Sequence, residues 1–194
     1  MSDPDGGVDQ YPEDCPFCNI ANAYPCPSQG SPDPSLLSYI PEKVDVTRTA
    51  PSCFLVLAAP TVMAFLDILP MTPGHLLVVV REHRPKVENM DAEEGRDVGF
   101  WLPLLAKAVK NVTGTSDYNI VQNNGVRAAQ VVPHVHFHII PRPSHVPELK
   151  NKSWTMFGRG QREDLDDDEG EELAAKLRVE LRAEVGRRSS NSRL

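Results

Sequence analysis

The sequence predicts an α+β domain: an antiparallel five-stranded sheet with helices on one side. Three observations lead there. Runs of strand character come as three, then one long amphipathic helical segment, then two more. The last run alternates histidine with apolar residues, His134-Val135-His136-Phe137-His138-Ile139, which is the period of a strand with one buried face. At 194 residues and 40% apolar content, the chain has material for one core.

The elements follow in order. Residues 1–14 are acidic and hold no apolar run, so they are expected to be a disordered tail without a signal-peptide core. Cys15-Pro16-Phe17-Cys18 opens the main domain, expected over residues 15–145. Residues 23–51 carry Pro25, Pro27, Pro32, Pro34, Pro41 and Pro51. They read as an insertion, mostly loop, with a helical turn near Ser35 to Ile40. Cys53 to Ala59 and Val62 to Asp67 read as a hairpin closed at Pro60 and Thr61. A turn over Pro70 to Gly74 leads into a buried strand, His75 to Val80. The spacing then predicts a helix over Asp91 to Asn111. Asp91 and Glu94 form a capping-box pattern, Phe100, Leu104, Leu105 and Val109 share a face, and Gly114 lies just beyond the end. Asn119 to Asn123 and Val131 to Ile140 are the last two strands. An extension, 146–186, holds an apolar island at Trp154-Thr155-Met156-Phe157. It also holds an acidic run that caps an amphipathic helix along Leu173, Leu177, Leu181 and Val185. Residues 187–194 are a basic tail.

Composition excludes some functions. A net charge of −7 gives no broad electrostatic grip on nucleic acid. No apolar run is long enough to span a membrane. Cys15, Cys18, Cys26 and Cys53 lack an export context and read as thiols or metal ligands rather than as disulfides.

The chemistry-bearing residues concentrate near the final strand. His134, His136 and His138 would share one strand face. Three imidazoles there suit a metal site, or a nucleophile with acid/base partners. A neutral imidazole is a competent nucleophile at pH 7. Asn123, Asn124, Gly125 and Gln130 bound a loop that can offer N–H donors to phosphate oxygens. Asp67 ends a strand and is either a turn residue or an acceptor for a vicinal diol. Ile68 and Leu77 are either core or pocket wall. Cys15 and Cys18 supply half of a tetrahedral metal site, or remain two reduced thiols.

His134-Val135-His136-Phe137-His138-Ile139-Ile140 resembles the signature of the histidine triad superfamily, His-φ-His-φ-His-φ-φ with φ apolar. The resemblance runs from Cys15 to about Arg142 and is closest to the Hint-like branch that carries CxxC. It implies a homodimer with sheets continuous across the interface. It also implies a purine nucleotide substrate, with His136 as nucleophile, His138 and His75 in the phosphate site, and Asp67 on the ribose. Ile68 and Leu77 would line the base pocket, and Asn123 and Gln130 the phosphate loop. A structural zinc on Cys15, Cys18, His83 and His134 is implied as well. The sequence departs from the family near Ala129, where a glycine is usual, and at Val131, where a serine or threonine is usual. The resemblance favours cleavage of nucleoside phosphoramidates with release of AMP. The alternatives are a dinucleoside polyphosphate hydrolase and a nucleotide-binding scaffold with little turnover. A DNA-adenylate hydrolase is disfavoured because no cysteine follows Cys53. Ser192-Arg193-Leu194 resembles a peroxisomal address, the alternative being the cytoplasm or nucleus.

Overall fold

Residues 15–27, 35–144 and 163–191 are described by the structure, a computed structural model. The expectations for residues 1–14, 154–157 and 192–194 lie outside them. Five strands form one sheet: β1 (Leu55–Ala58), β2 (Val62–Leu66), β3 (Leu76–Val80), β4 (Tyr118–Gln122) and β5 (His136–Pro141). Their order is β1-β2-β3-β5-β4, antiparallel throughout. The histidine strand is therefore internal, with Leu77 of β3 and Val121 of β4 both opposite His138.

Two long helices cover one face, α2 (Ala92–Thr113) and α3 (Asp167–Asn191). Val62, Ala64, Leu66, Leu76, Val78, Val80 and Ile139 meet Trp101, Leu104, Leu105 and Val109 of α2 and Leu177 and Leu181 of α3 in one buried cluster. Each Val, Leu or Ile among them contributes about 1.5–3 kcal/mol when fully buried. β2 and β3 are buried on both faces, which is why they read as unbroken apolar runs. The opposite face is covered by a short helix, α1 (Pro16–Ala23), whose Phe17 and Cys18 pack with Met63, Phe65, Leu77 and Val79.

Local signals explain the boundaries. Asp91 Oδ1 accepts from the N–H groups of Glu93 and Glu94, both at 2.8 Å, and Glu94 Oε2 accepts from Asp91 N at 2.8 Å. Gly114 ends α2 in the left-handed conformation. Asp166 starts α3 by accepting from Asp168 N and Glu169 N. Gly74, at φ +85°, turns the chain into β3, and a Cβ there would meet Thr113 Cγ2 at 2.5 Å.

The last strand is shorter than the alternation suggests. Val131 to Val135 form a loop, and β5 starts at His136. Pro133 has no N–H for a ladder, and Val131 is 91% exposed. Val135 N instead donates to Arg84 O at 2.7 Å, tying this loop to the one that follows β3. Val135 and Ile139 are buried on the helix-covered face and Phe137 packs against the same cluster. Among the described residues no helix is long and apolar enough to cross a membrane.

Candidate active site

Four side chains expected to bind metal converge at the N-terminus of α1. Cys15 Sγ lies 3.4 Å and Cys18 Sγ 3.6 Å from His134 Nδ1, and Cys18 Sγ lies 3.4 Å from His83 Nδ1. Bonds of about 2.3 Å to sulfur and 2.0–2.1 Å to nitrogen in a tetrahedron put S and N about 3.6 Å apart, so the spacing fits a four-coordinate metal. All four residues are buried. His134 Nε2–H donates to Val80 O at 2.6 Å, which turns the Nδ1 lone pair toward the sulfurs, as a ligand requires. Burial and the neighbouring Cys15 push the Cys18 thiol up to about 12, and burial pushes His134 down to about 4. A divalent cation reverses the first preference by favouring thiolate. These residues could hold a metal ion.

The next two histidines face a cavity of about 1140 Å³. His136 is buried, and its Nδ1–H donates to the carbonyl of His134 at 2.6 Å. That bond fixes the tautomer and leaves the lone pair on Nε2. Burial holds the His136 imidazolium below the ordinary histidine range, so the ring is neutral at pH 7. Beside it, Met71 N donates to His75 Nδ1 at 3.2 Å. The His75 proton therefore sits on Nε2 and bonds to His138 Nδ1 at 2.9 Å. His138 then carries its own proton on Nε2. Asp67 Oδ2 lies 3.3 Å from His75 Nδ1, so a second proton on His75 would be met by a carboxylate. The arrangement offers an unprotonated imidazole nitrogen next to a histidine pair that can pass a proton.

Asp67, Ile68, Leu77, Asn123, His75, His136 and His138 all line the cavity. His134 and His83 do not; they sit behind it in the Cys2His2 cluster. The structure does not bring Gln130 to the cavity. Its Oε1 accepts from Gly125 N and its Nε2 donates to Pro85 O at 2.8 Å, so the side chain clamps the loop that carries it. Ala129 adopts the left-handed conformation at φ 63°, which accounts for the glycine usual there in the resemblance. Val131 lines the mouth with no hydroxyl.

Several contributors were not foreseen. Phe17, between the two cysteines, packs edge-on against His134 (5.6 Å between ring centroids), His136 (5.2 Å) and Phe65 (5.6 Å). Its position in the cysteine motif was the available signal. Arg81 fastens the other end of α1, donating to Ala21 O at 3.1 Å, Tyr24 O at 2.8 Å and Ala59 O at 2.6 Å. Arg48 to Cys53 line the cavity as well.

A five-stranded antiparallel sheet with three histidines in a cavity and a Cys2His2 set behind it defines a class of histidine-dependent site. The chain belongs to the HIT domain family, whose model matches residues 48–145. Adenosine 5′-monophosphoramidase hnt1 of Schizosaccharomyces pombe is 48% identical over 82 residues, 42% of this chain and 59% of that protein. The chain thus matches about three-fifths of that relative's length. A HIT-like protein of Methanocaldococcus jannaschii is 40% identical over 106 residues, 55% of this chain and 78% of the relative. The solved structure of a Zn-bound histidine triad family protein from Mycobacterium smegmatis is similar at a TM-score of 0.53 and 25% identity, over 72% of this chain and 88% of that one.

Proposed function

We propose that this protein is a nucleotide hydrolase or transferase of the histidine triad type. It releases a nucleoside monophosphate such as AMP through a nucleotidyl-His136 intermediate, with nucleoside phosphoramidates as substrates. The observation that carries this reading is the His136 Nδ1–H bond to His134 O at 2.6 Å inside the cavity, which leaves Nε2 as the nucleophile. Similarity to a protein named as an adenosine 5′-monophosphoramidase supports the substrate class.

In this reading, His136 Nε2 bonds to the α-phosphorus as the phosphorus–nitrogen bond to the leaving amine breaks. With a second proton on His75 Nδ1 facing Asp67, the amine takes the proton on His138 Nε2 while His138 Nδ1 takes the one on His75 Nε2. Water then attacks the same phosphorus and gives a proton to His138 Nε2, the Nδ1 proton returns to His75 Nε2, the bond to His136 breaks, and the monophosphate leaves. Asn123, at the start of the loop before β5, would donate to phosphate oxygens, and Asp67 would accept from the ribose hydroxyls. Gln130 would act by holding that loop.

Zinc is the metal we assign to Cys15, Cys18, His83 and His134. Two sulfur and two nitrogen donors in a closed, buried site suit a structural zinc, and a zinc-bound relative supports it. It would hold α1 against the sheet and supply no reacting group. We also propose a homodimer paired through β4, an edge strand whose Tyr118 and Ile120 are exposed. Ile120→Lys would then give a monomer by light scattering; an unchanged mass would reject this interface.

The test of function is chromatographic. Adenosine 5′-phosphoramidate and diadenosine polyphosphates are incubated with the protein and with His136→Ala. AMP release that falls more than about 10³-fold in the variant is expected. Equal turnover by both proteins would remove His136 from the chemistry.

A further inference from the structure

We propose that the segment from Arg48 to Ser52 is a specificity subsite for the far edge of the nucleotide base. Arg48 is the donor that rewards a hydrogen-bond acceptor there. The inference rests on the nucleotide reading above and concerns a stretch that overlaps the end of the proline-rich residues 23–51 and the start of the family match.

The cavity has two ends, and α1 spans the distance between them. Phe17, in its first turn, touches His136 at 5.2 Å between rings. Ala23, its last residue, accepts from Arg48 Nη1 at 3.3 Å. Eight residues at about 1.5 Å each make α1 about 12 Å long. That is the reach of a nucleotide from its α-phosphorus, at the histidines, to the outer edge of its base. Asp67 and Ile68 line the cavity together with both ends. A ribose on Asp67 and a base against Ile68 and Phe65 would therefore arrive at Arg48, Thr49 and Ser52, with Asn19 and Asn22 of α1 also on the lining.

This wall is held in place. Cys53 N donates to Val46 O at 3.1 Å, Tyr24 Oη–H donates to Asp45 O at 2.7 Å, and Asp45 Oδ1 accepts from Thr47 N at 3.1 Å. The Arg48 guanidinium stacks over Tyr24 at 5.8 Å and lies 4.0 Å from Asp45. A guanidinium has five N–H donors and no acceptor. Such a fork matches the O6 and N7 acceptors of a 6-oxopurine with two bonds, whereas adenine offers it N7 alone beside an amino group. The subsite therefore favours 6-oxopurine nucleotides over what the histidine end would select by itself.

The experiment is calorimetric binding of IMP, GMP, AMP and ribose 5-phosphate to the full-length protein and to Arg48→Met. The variant is expected to weaken IMP and GMP about tenfold, to weaken AMP distinctly less, and to leave ribose 5-phosphate unchanged. Equal losses for IMP, GMP and AMP, no loss for any of them, or a matching loss for ribose 5-phosphate would each overturn the proposal. If the parent protein binds the nucleotides and Arg48→Met leaves their order unchanged, only the subsite fails. If the parent binds none of them, the nucleotide reading fails first.

Discussion

The molecule holds two histidine clusters on one side of its sheet, and their surroundings separate them. Cys15, Cys18, His83 and His134 are all buried, with every donor turned inward. Asp67, His75 and His138 also bring their donor atoms within 4.8 Å of one another, but Asp67 and His138 are only partly buried and all three line a cavity. In the first cluster the thiols and imidazoles face each other and do not line the cavity. In the second, two imidazoles already share a proton beside a carboxylate, with His136 at 4.9 Å between rings from His138. Residue type alone does not separate a metal site from an acid/base site. Closure and the identity of the third and fourth donors do. One residue joins the clusters: His134 offers its ring to the closed site and its carbonyl, as a hydrogen-bond acceptor, to His136.

Breaking the closed cluster tests this division most severely. Cys18→Ser is expected to lower metal affinity by more than about 100-fold and to reduce Tm. Activity should fall with metal content because Phe17 and the His134 carbonyl lose their support. Metal analysis by mass spectrometry alongside calorimetry checks it, and full metal retention in the variant would show the ligand set to be wrong.

A gain is expected at the open cluster. Val131→Ser returns a hydroxyl to the mouth of the cavity. One added hydrogen bond to a phosphate or leaving group is worth about tenfold in kcat/KM. A rate unchanged or lowered on phosphoramidates would place that position outside the reaction.

The smallest effect is in pH dependence. Burial lowers the pKa of His136. In the unfolded chain it takes up a proton at about 6.5. Stability from the neutral ring is therefore full above pH 6.5 and is lost as pH falls toward the folded value. The acid limb of kcat/KM should likewise lie below pH 6.5, because His136 attacks only when neutral. An acid limb centred at or above 6.5 would contradict the burial argument.

Much of this was legible in the sequence because it rests on local rules. The capping box of Asp91 and Glu94, the turn at Gly74 and the alternation of His136, Phe137, His138 and Ile139 each depend on neighbours in the chain. What escaped depends on distant partners. Val131 to Val135 share the apolar character of a strand, yet Pro133 and the Val135 bond to Arg84 make them a loop. Gln130 has the chemistry of a phosphate ligand, but Gly125 and Pro85 occupy it. The cavity wall at Arg48 to Ser52 lies in a proline-rich stretch without period, where no pattern signals a role. Helix α1 covers the face opposite α2 because β2 and β3 are apolar on both sides, which their unbroken runs signalled without naming the cover.

The most direct measurement of the division between the clusters is a rapid-quench trap of the protein reacting with adenosine 5′-phosphoramidate. Peptide mass spectrometry would locate the adduct, and metal would be quantified in the same sample. Nucleotidyl label on His136 alone, with one metal per chain retained, is the predicted result. Label on His134 or His138, or formation of the adduct only as metal is lost, would contradict it.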